Sequence, residues 1–257
     1  MRRSKRGWPS KAAVVAFVSA FALGSPLAAA EVVQKGDLII STAAKMHPQV
    51  LPRKGTAPVS VSVSGQISTT DEAEAPPLKQ LQIEINRHGK INSQGLPICK
   101  IGQIQPASDE RALANCRSAL VGEGHFSGTI SLPGSAPFPT EGRLLVFNGQ
   151  EHGRQVLFGH VYAPHPFATS FVIVFQITAK KSGTYGTTLT ANLAEALGAK
   201  RSLTGIEMTL SRRYLSAGCP APKGFPGATF PLARTTFSFV GGPKFASTLI
   251  RNCRARG

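Results

Sequence analysis

Histidines and acidic residues are the side chains of this chain whose types and spacing could carry chemistry. His152, His160 and His165 lie close together in sequence and follow Glu151. Imidazole and carboxylate groups are common ligands of zinc and copper. No His-x-x-x-His or His-x-His spacing is present to fix two ligands on one face of a helix or strand. The pattern favours ordinary surface or loop histidines, and a metal-binding module is kept as an alternative.

A second group of residues would suit acid–base catalysis. Glu123 and His125 are two positions apart, so both point to the same face of a strand, where they could act as a base and its orienting partner. Residues 124–128 lack the Gly-x-Ser-x-Gly spacing of a nucleophile elbow. A secreted hydrolase acting on a glycan or ester therefore needs a site assembled from residues remote in sequence. We expect such a site to gather at least two of Glu123, His125, Glu151, His152, His160 and Glu207 in one cleft. No catalytic residue and no cofactor is assigned from the sequence.

Basic residues outnumber acidic ones by 29 to 13, which gives a formal charge of +16. Such a charge favours association with polyanions, for example an anionic polymer of the cell envelope. Aromatic residues that would stack on bases are sparse among the basic clusters, which argues against specific nucleic-acid recognition. The residues expected to contact a polyanion are Arg212, Arg213, Arg251, Arg254 and Arg256.

The N-terminal segment has the three parts of a secretory signal peptide. Residues 1–11 are basic, residues 12–23 are apolar, and Ala28 and Ala30 form an Ala-x-Ala cleavage site. The apolar run is shorter than the 20 or so residues that span a bilayer. We expect cleavage after Ala30, a mature chain without a transmembrane segment, and a secreted or envelope-associated location. Five of the basic residues leave with the signal peptide, so the charge falls from +16 to +11.

The four cysteines of an exported chain predict two disulfides. The favoured pairing joins neighbours in sequence, Cys99 with Cys116 and Cys219 with Cys253, because the chain reverses direction between the members of each pair. The two other pairings remain open. Each bridge would contribute about 3 kcal/mol by the loop-entropy model.

These candidate residues lie on a chain with a strong β pattern. Apolar and polar residues alternate over residues 59–68, and strand-like segments separated by Gly- and Pro-rich breaks recur throughout the rest. We expect an all-β fold, namely a disulfide-stapled antiparallel β-sandwich of the immunoglobulin-like or jelly-roll-like kind. Residues 170–177 are the best candidate for a central strand buried on both faces.

One or two short helices interrupt the strands. We expect residues 109–116 to form one, with Ser108 as N-cap, and residues 192–200 also have a helical spacing. We expect residues 1–30 to be the signal peptide, residues 31–57 an irregular lead-in, and residues 58–257 the sandwich domain. A division near residues 148–153 into two smaller sandwiches is the alternative.

Three strings of residues resemble those of a known family: INRHGKINSQGLPIC at 85–99, ALANCRSALVGEG at 112–124 and CPAPKGFPGATFPLARTTF at 219–237. The chain resembles, over nearly all of its mature length, an uncharacterised family of exported proteins from high-GC Gram-positive bacteria. The resemblance implies secretion and a shared fold, and it carries no known activity. The sequence therefore favours a secreted, non-enzymatic protein, with a hydrolase and a metal-binding module as alternatives.

Overall fold

The computed structural model describes residues 30–131, 134, 136–165, 168–193 and 201–256. Ala28 and nearly all of the predicted signal peptide, and most of the helix predicted over residues 192–200, lie outside the described residues. In chain order, the strands are β1 (Glu31–Lys35), β2 (Leu38–His47), β3 (Val50–Pro52), β4 (Ala57–Pro58), β5 (Ser60–Thr69), β6 (Leu78–Asn86), β7 (Gly89–Ile91), β8 (Leu120–Ile130), β9 (Phe138–Glu151), β10 (Arg154–Ala163), β11 (Thr169–Ala179), β12 (Tyr185–Asn192), β13 (Arg201–Leu210), β14 (Leu215–Ala217), β15 (Gly227–Phe239) and β16 (Lys244–Arg256). The helices are α1 (Ile101–Ile104) and α2 (Asp109–Cys116), and a 3-10 turn (Arg117–Ala119) follows α2.

Thirteen of the described strands belong to one sheet, in the order β1-β2-β5-β13-β8-β9-β10-β11-β12-β6-β15-β16-β3. Neighbouring strands are antiparallel except for the pair β16 and β3. The remaining strands β4, β14 and β7 form a small second sheet. The prediction of a fold made mostly of β-strands is thus confirmed. The finer prediction, an antiparallel β-sandwich of the immunoglobulin-like or jelly-roll-like kind, stays a prediction.

The large sheet curls until its first strands meet β16. The Thr42 hydroxyl on β2 lies 2.8 Å from the Ser247 hydroxyl on β16. The Arg251 guanidinium of β16 lies 2.6 Å from the Glu31 carboxylate and also donates to the Ala44 carbonyl. These side-chain contacts hold β1 and β2 against β16, because no ladder of backbone hydrogen bonds joins them among the described strands.

The inner face of the curl forms the main hydrophobic core. Alternate residues of β2 show the pattern, because Leu38, Ile40, Ala44 and Met46 are all buried in it. Residues 31–57, expected to be an irregular lead-in, therefore contribute strand β2 to the core. The small apolar residues Ala43 and Ala44 give this strand a weak hydrophobic pattern in the sequence.

A second core lies on the outer face of β9, β10 and β11, beneath the helices. Phe147, Phe158 and Val172 pack there against Ile104 and Ala112. These three strands are buried on both faces, which explains their nearly continuous apolar sequences. The doubly buried strand predicted over residues 170–177 is confirmed for its first part only, because residues 171–173 of β11 are all buried whereas Gln176 is exposed.

Two disulfides close this architecture, Cys99–Cys116 and Cys219–Cys253. This is the sequence-local pairing that the sequence favoured. The first bridge attaches the end of α2 to Cys99, which donates its backbone N–H to the Asn148 carbonyl on β9. It therefore fixes the helices on the outer face of the sheet. The second ties the segment after β14 to β16.

Three local features of the sequence correspond to the start of α2, to β15 and to the β9–β10 turn. The N-cap is confirmed, because the Ser108 hydroxyl accepts a hydrogen bond from the Arg111 backbone N–H. Strand β15 begins at Gly227, within a stretch rich in glycine and proline. The strand accommodates Pro231 at an irregularity in its register with β16, a position where proline is tolerated. Residues 148–153 form the end of β9 and the tight turn into β10.

Candidate functional site

A cleft of about 1150 Å³ lies between the start of α2 and the outer surface of β8, β9 and β10. In the strand register, His125 stands opposite Arg143, which in turn stands opposite Tyr162. Directly opposed residues of antiparallel strands project to the same face, so these three side chains form one row along the cleft. Helix α2 adds Asp109 and Glu110 from its first turn.

Arg143 is the cation of this cleft. Its guanidinium lies 2.7 Å from the Glu123 carboxylate, and both side chains are more than 40% exposed. An ion pair in so much water contributes little stability, typically below about 1 kcal/mol. The Arg143 charge also opposes protonation of the Asp109 carboxyl, because it lowers the pKa of that group.

His160 lies on β10 beneath the cleft and is fully buried. Its Nε2 atom is 3.4 Å from Oδ1 of Asp109. Neither ring nitrogen makes a hydrogen bond of normal geometry within the described part of the chain. Burial lowers the pKa of His160 to about 4, and the nearby backbone of Ile104 opposes this only in part. The imidazole is therefore neutral at physiological pH.

Burial raises the pKa of the Asp109 carboxyl; the charge of Arg143 opposes the increase and the charge of Glu110 adds to it. A carboxyl with a raised pKa that lines a cleft is a candidate general acid or base. The sequence placed Asp109 only in the first turn of a helix, where acids are common. Its contact with His160 depends on the packing of α2 against β10, for which the sequence contains no local pattern.

The other acid–base candidates are distributed over the surface. Glu207 stands opposite His125 in the register of β13 and β8, and both line a second hollow of about 410 Å³. Two members of the predicted catalytic set thus share a hollow. Glu151 accepts a hydrogen bond from Gln176, and His152 lies in the turn after β9.

The three clustered histidines do not converge. His152 lies in the β9–β10 turn, before β10, and His160 lies buried within β10. His165 follows the other end of β10 and lines the cleft. Throughout the residues that the structure describes, no three His, Cys, Asp or Glu side chains are grouped as a metal site would require.

Exposed basic residues gather at the end of the curled sheet that the small sheet covers. Backbone hydrogen bonds assemble this end, because Val59 donates to Leu215, Cys219 to Pro52 and Gly218 to His88. We call this surface the basic end and define it by its exposed cations, Lys54, Arg87, Lys90, Arg212, Arg213, Lys223, Arg254 and Arg256.

The opposite end of the sheet carries acidic residues. Its loops contain Asp37, Asp71, Glu72 and Glu74, all exposed, and Thr70 donates a backbone hydrogen bond to the Asp37 carbonyl. Strand β5 runs from the basic end to these loops, and its ten residues span about 30 Å. The two ends are therefore further apart than the screening length of about 8–10 Å in physiological salt.

The five arginines predicted to contact a polyanion fall into two groups. Arg212, Arg213, Arg254 and Arg256 are exposed at the basic end. Arg251 is only partly exposed, and its guanidinium is bound to Glu31 and to backbone carbonyls. Its contacts serve to close the sheet.

Comparison of the chain with protein-family models, with curated proteins and with solved structures finds no match. None of the helices among the described residues is both long and apolar enough to span a bilayer.

Proposed function

We propose that this protein is exported and acts without catalysis by binding an anionic, phosphate-rich polymer of the cell envelope through the basic end. The observation that carries the proposal is the uneven distribution of charge along the sheet. Eight exposed cations lie around one end, whereas the other end combines the exposed acids Asp37, Asp71, Glu72 and Glu74 with the exposed lysines Lys35, Lys79 and Lys244. The signal-like N-terminal segment and the two disulfides support a location outside the cytoplasm.

The physical basis of such binding is the release of counterions from the polymer. Each phosphate neutralised by an arginine or lysine frees condensed counterions, so affinity falls steeply as salt is added. The cations of the basic end come from loops and strand ends fixed by the small sheet and by the Cys219–Cys253 bridge. A fixed arrangement lowers the entropic cost of binding a repeating polyanion.

The test compares two variants of equal net charge. Arg212→Glu, Arg213→Glu and Arg254→Glu together reverse three charges at the basic end. Lys35→Glu, Lys79→Glu and Lys244→Glu reverse three exposed charges at the opposite end.

Binding of the chain that begins at Glu31 to a teichoic-type polyglycerol phosphate is measured at about 50 mM salt, where electrostatic attraction is strong. The basic-end variant should lose about a hundredfold in affinity, since each cation near an anionic surface contributes about 1 kcal/mol. The opposite-end variant should bind almost as the wild type does. Equal losses in both variants, or no binding by the wild type, would refute the proposal.

The cleft supports a second candidate function, the hydrolysis of a glycan or ester by general acid–base catalysis. The specific observation is the Asp109 carboxyl, whose pKa is raised and which lies beside a buried neutral imidazole. The wild type, Asp109→Asn and the control Glu110→Gln would be assayed on aryl glycosides and nitrophenyl esters. Activity that is lost only in Asp109→Asn would support this function, and an inactive wild type would exclude it for these substrates.

A further inference from the structure

The interior of the curled sheet contains a cavity of about 110 Å³. Its wall is built from side chains of opposite strands, among them Ala44, Val146, Ile173 and Met208. Gly159 also lines the cavity, and a Cβ atom added there would have no heavy atom nearer than 3.5 Å. A methyl group at position 159 would thus make ordinary van der Waals contacts with Leu144, Ile173 and Phe175 and would occupy part of the cavity.

Tyr214 is the polar feature of this wall. The side chain is fully buried, and its hydroxyl has no hydrogen-bond partner within the described residues. A buried hydroxyl left without a partner costs about 1–3 kcal/mol. Burial also raises the pKa of this phenol, so at physiological pH the group stays protonated and can donate a hydrogen bond.

Water does not suit the cavity, because a buried water typically makes about three hydrogen bonds. The Ser216 hydroxyl is already bonded to Thr56 and Asn92, and the Lys90 side chain is exposed to solvent. Among the described residues that line the cavity, Tyr214 is the polar side chain whose hydrogen-bonding capacity is left unused. An apolar ligand is a better match, since an engineered cavity of about 150 Å³ in another protein stays dry and binds benzene.

We infer that this cavity is a binding site for a small apolar molecule that carries a single hydrogen-bond acceptor, whose oxygen accepts from the Tyr214 hydroxyl. A molecule near the size of one six-membered ring matches the space. The methionine side chains of Met46 and Met208 are flexible enough to adjust to its shape.

The small sheet forms one wall of the cavity and is the part of the wall through which a ligand would enter. Strands β4, β7 and β14 are two or three residues long, and residues of β7 and β14 line the cavity beside Tyr214. Short strands hold few backbone hydrogen bonds, so this cover opens more easily than the large sheet does. Opening it does not require the curl itself to come apart.

The test uses two probes of nearly equal shape. Cyclohexanone carries a carbonyl acceptor, and methylenecyclohexane has a carbon atom in place of that oxygen. Their dissociation constants are measured for the wild type, for Tyr214→Phe and for the control Tyr185→Phe, whose side chain does not line the cavity. Gly159→Ala adds one methyl group to the cavity space.

Tyr214→Phe should weaken cyclohexanone binding about fivefold, the effect of losing one neutral hydrogen bond, and should leave methylenecyclohexane binding unchanged. Tyr185→Phe should change neither probe, and Gly159→Ala should weaken both. The inference is overturned if the wild type binds neither probe, or if Tyr214→Phe changes both affinities by the same factor.

Discussion

Acidification should destabilise this protein through His160. In the unfolded chain the imidazole has its ordinary pKa of 6.5, whereas burial lowers the pKa in the folded protein to about 4. The unfolded state therefore takes up the proton first as the pH falls. The contribution of His160 to the free energy of unfolding is fully present above about pH 6.5. It decreases as the pH falls from there to the folded pKa near 4. The full difference corresponds to about 3 kcal/mol, of which about 2 kcal/mol is already lost at pH 5.

Asp109 acts in the opposite direction. Its raised pKa lets the folded protein take up a proton before the unfolded one does, so protonation of this carboxyl stabilises the fold as the pH falls. A comparison between about pH 7.5 and about pH 5 is therefore the best window, because most carboxyl groups are still ionised there and His160 dominates.

The assay is urea unfolding of the wild type, His160→Leu and the control His125→Leu at these two pH values. His160→Leu removes the titrating group, and its leucine adjoins the apolar core beneath the helices. On acidification, the free energy of unfolding of this variant should fall by about 2 kcal/mol less than that of the wild type. His125→Leu removes an exposed histidine and should follow the wild type. Equal pH dependence in the wild type and His160→Leu would show that the reasoning is wrong.

Three further changes test the packing, each by urea unfolding at neutral pH. Gly124→Ala should lower the free energy of unfolding by at least about 2 kcal/mol, because its Cβ atom would lie 1.8 Å from a backbone oxygen of the neighbouring strand. The control Gly159→Ala fits without a clash, so equal losses in the two variants would contradict this account. Replacing Cys219 and Cys253 by alanine should lower the free energy of unfolding by about 3.8 kcal/mol, the loop-entropy value for a sequence separation of 34. Unchanged stability would disprove the bridge. Tyr214→Phe should raise the free energy of unfolding by about 1 kcal/mol, since it removes an unpartnered buried hydroxyl; a loss would indicate a partner for that hydroxyl.

The strands were predictable where one side of a strand faces the core. In β5, Val61, Val63 and Ile67 alternate with serine and glutamine, and the strand forms there. The closure of the sheet was not predictable, because the Thr42–Ser247 contact joins residues 205 positions apart. Neither hydroxyl has a local pattern that identifies its partner.

The candidate cleft illustrates the same limit. His160 looked like a surface or metal-binding histidine because other histidines are close in sequence. A better signal was available in β10, where Val156 and Phe158 share a face with His160 while Leu157 and Val161 occupy the other. Apolar residues on both faces indicate a doubly buried strand and hence a buried histidine. The helix that brings Asp109 to it is set by tertiary packing.

The basic end was foreseen only in part. The arginine pairs near residue 212 and at the C-terminus were visible as charge clusters in the sequence. The paired strands β4, β14 and β7 add Lys54 and Lys90 to the same surface. Arg251 could not be separated from its neighbours in advance, because Glu31, its ion-pair partner, lies at the other end of the described chain.

The most direct test of the proposed function is the salt dependence of binding to polyglycerol phosphate. The logarithm of the dissociation constant is plotted against the logarithm of the salt concentration for the wild type and for the basic-end variant carrying Arg212→Glu, Arg213→Glu and Arg254→Glu. The variant should show a slope smaller by about two, the value for three lost phosphate contacts on a single-stranded polymer. Identical slopes would contradict the claim that the basic end holds the polymer.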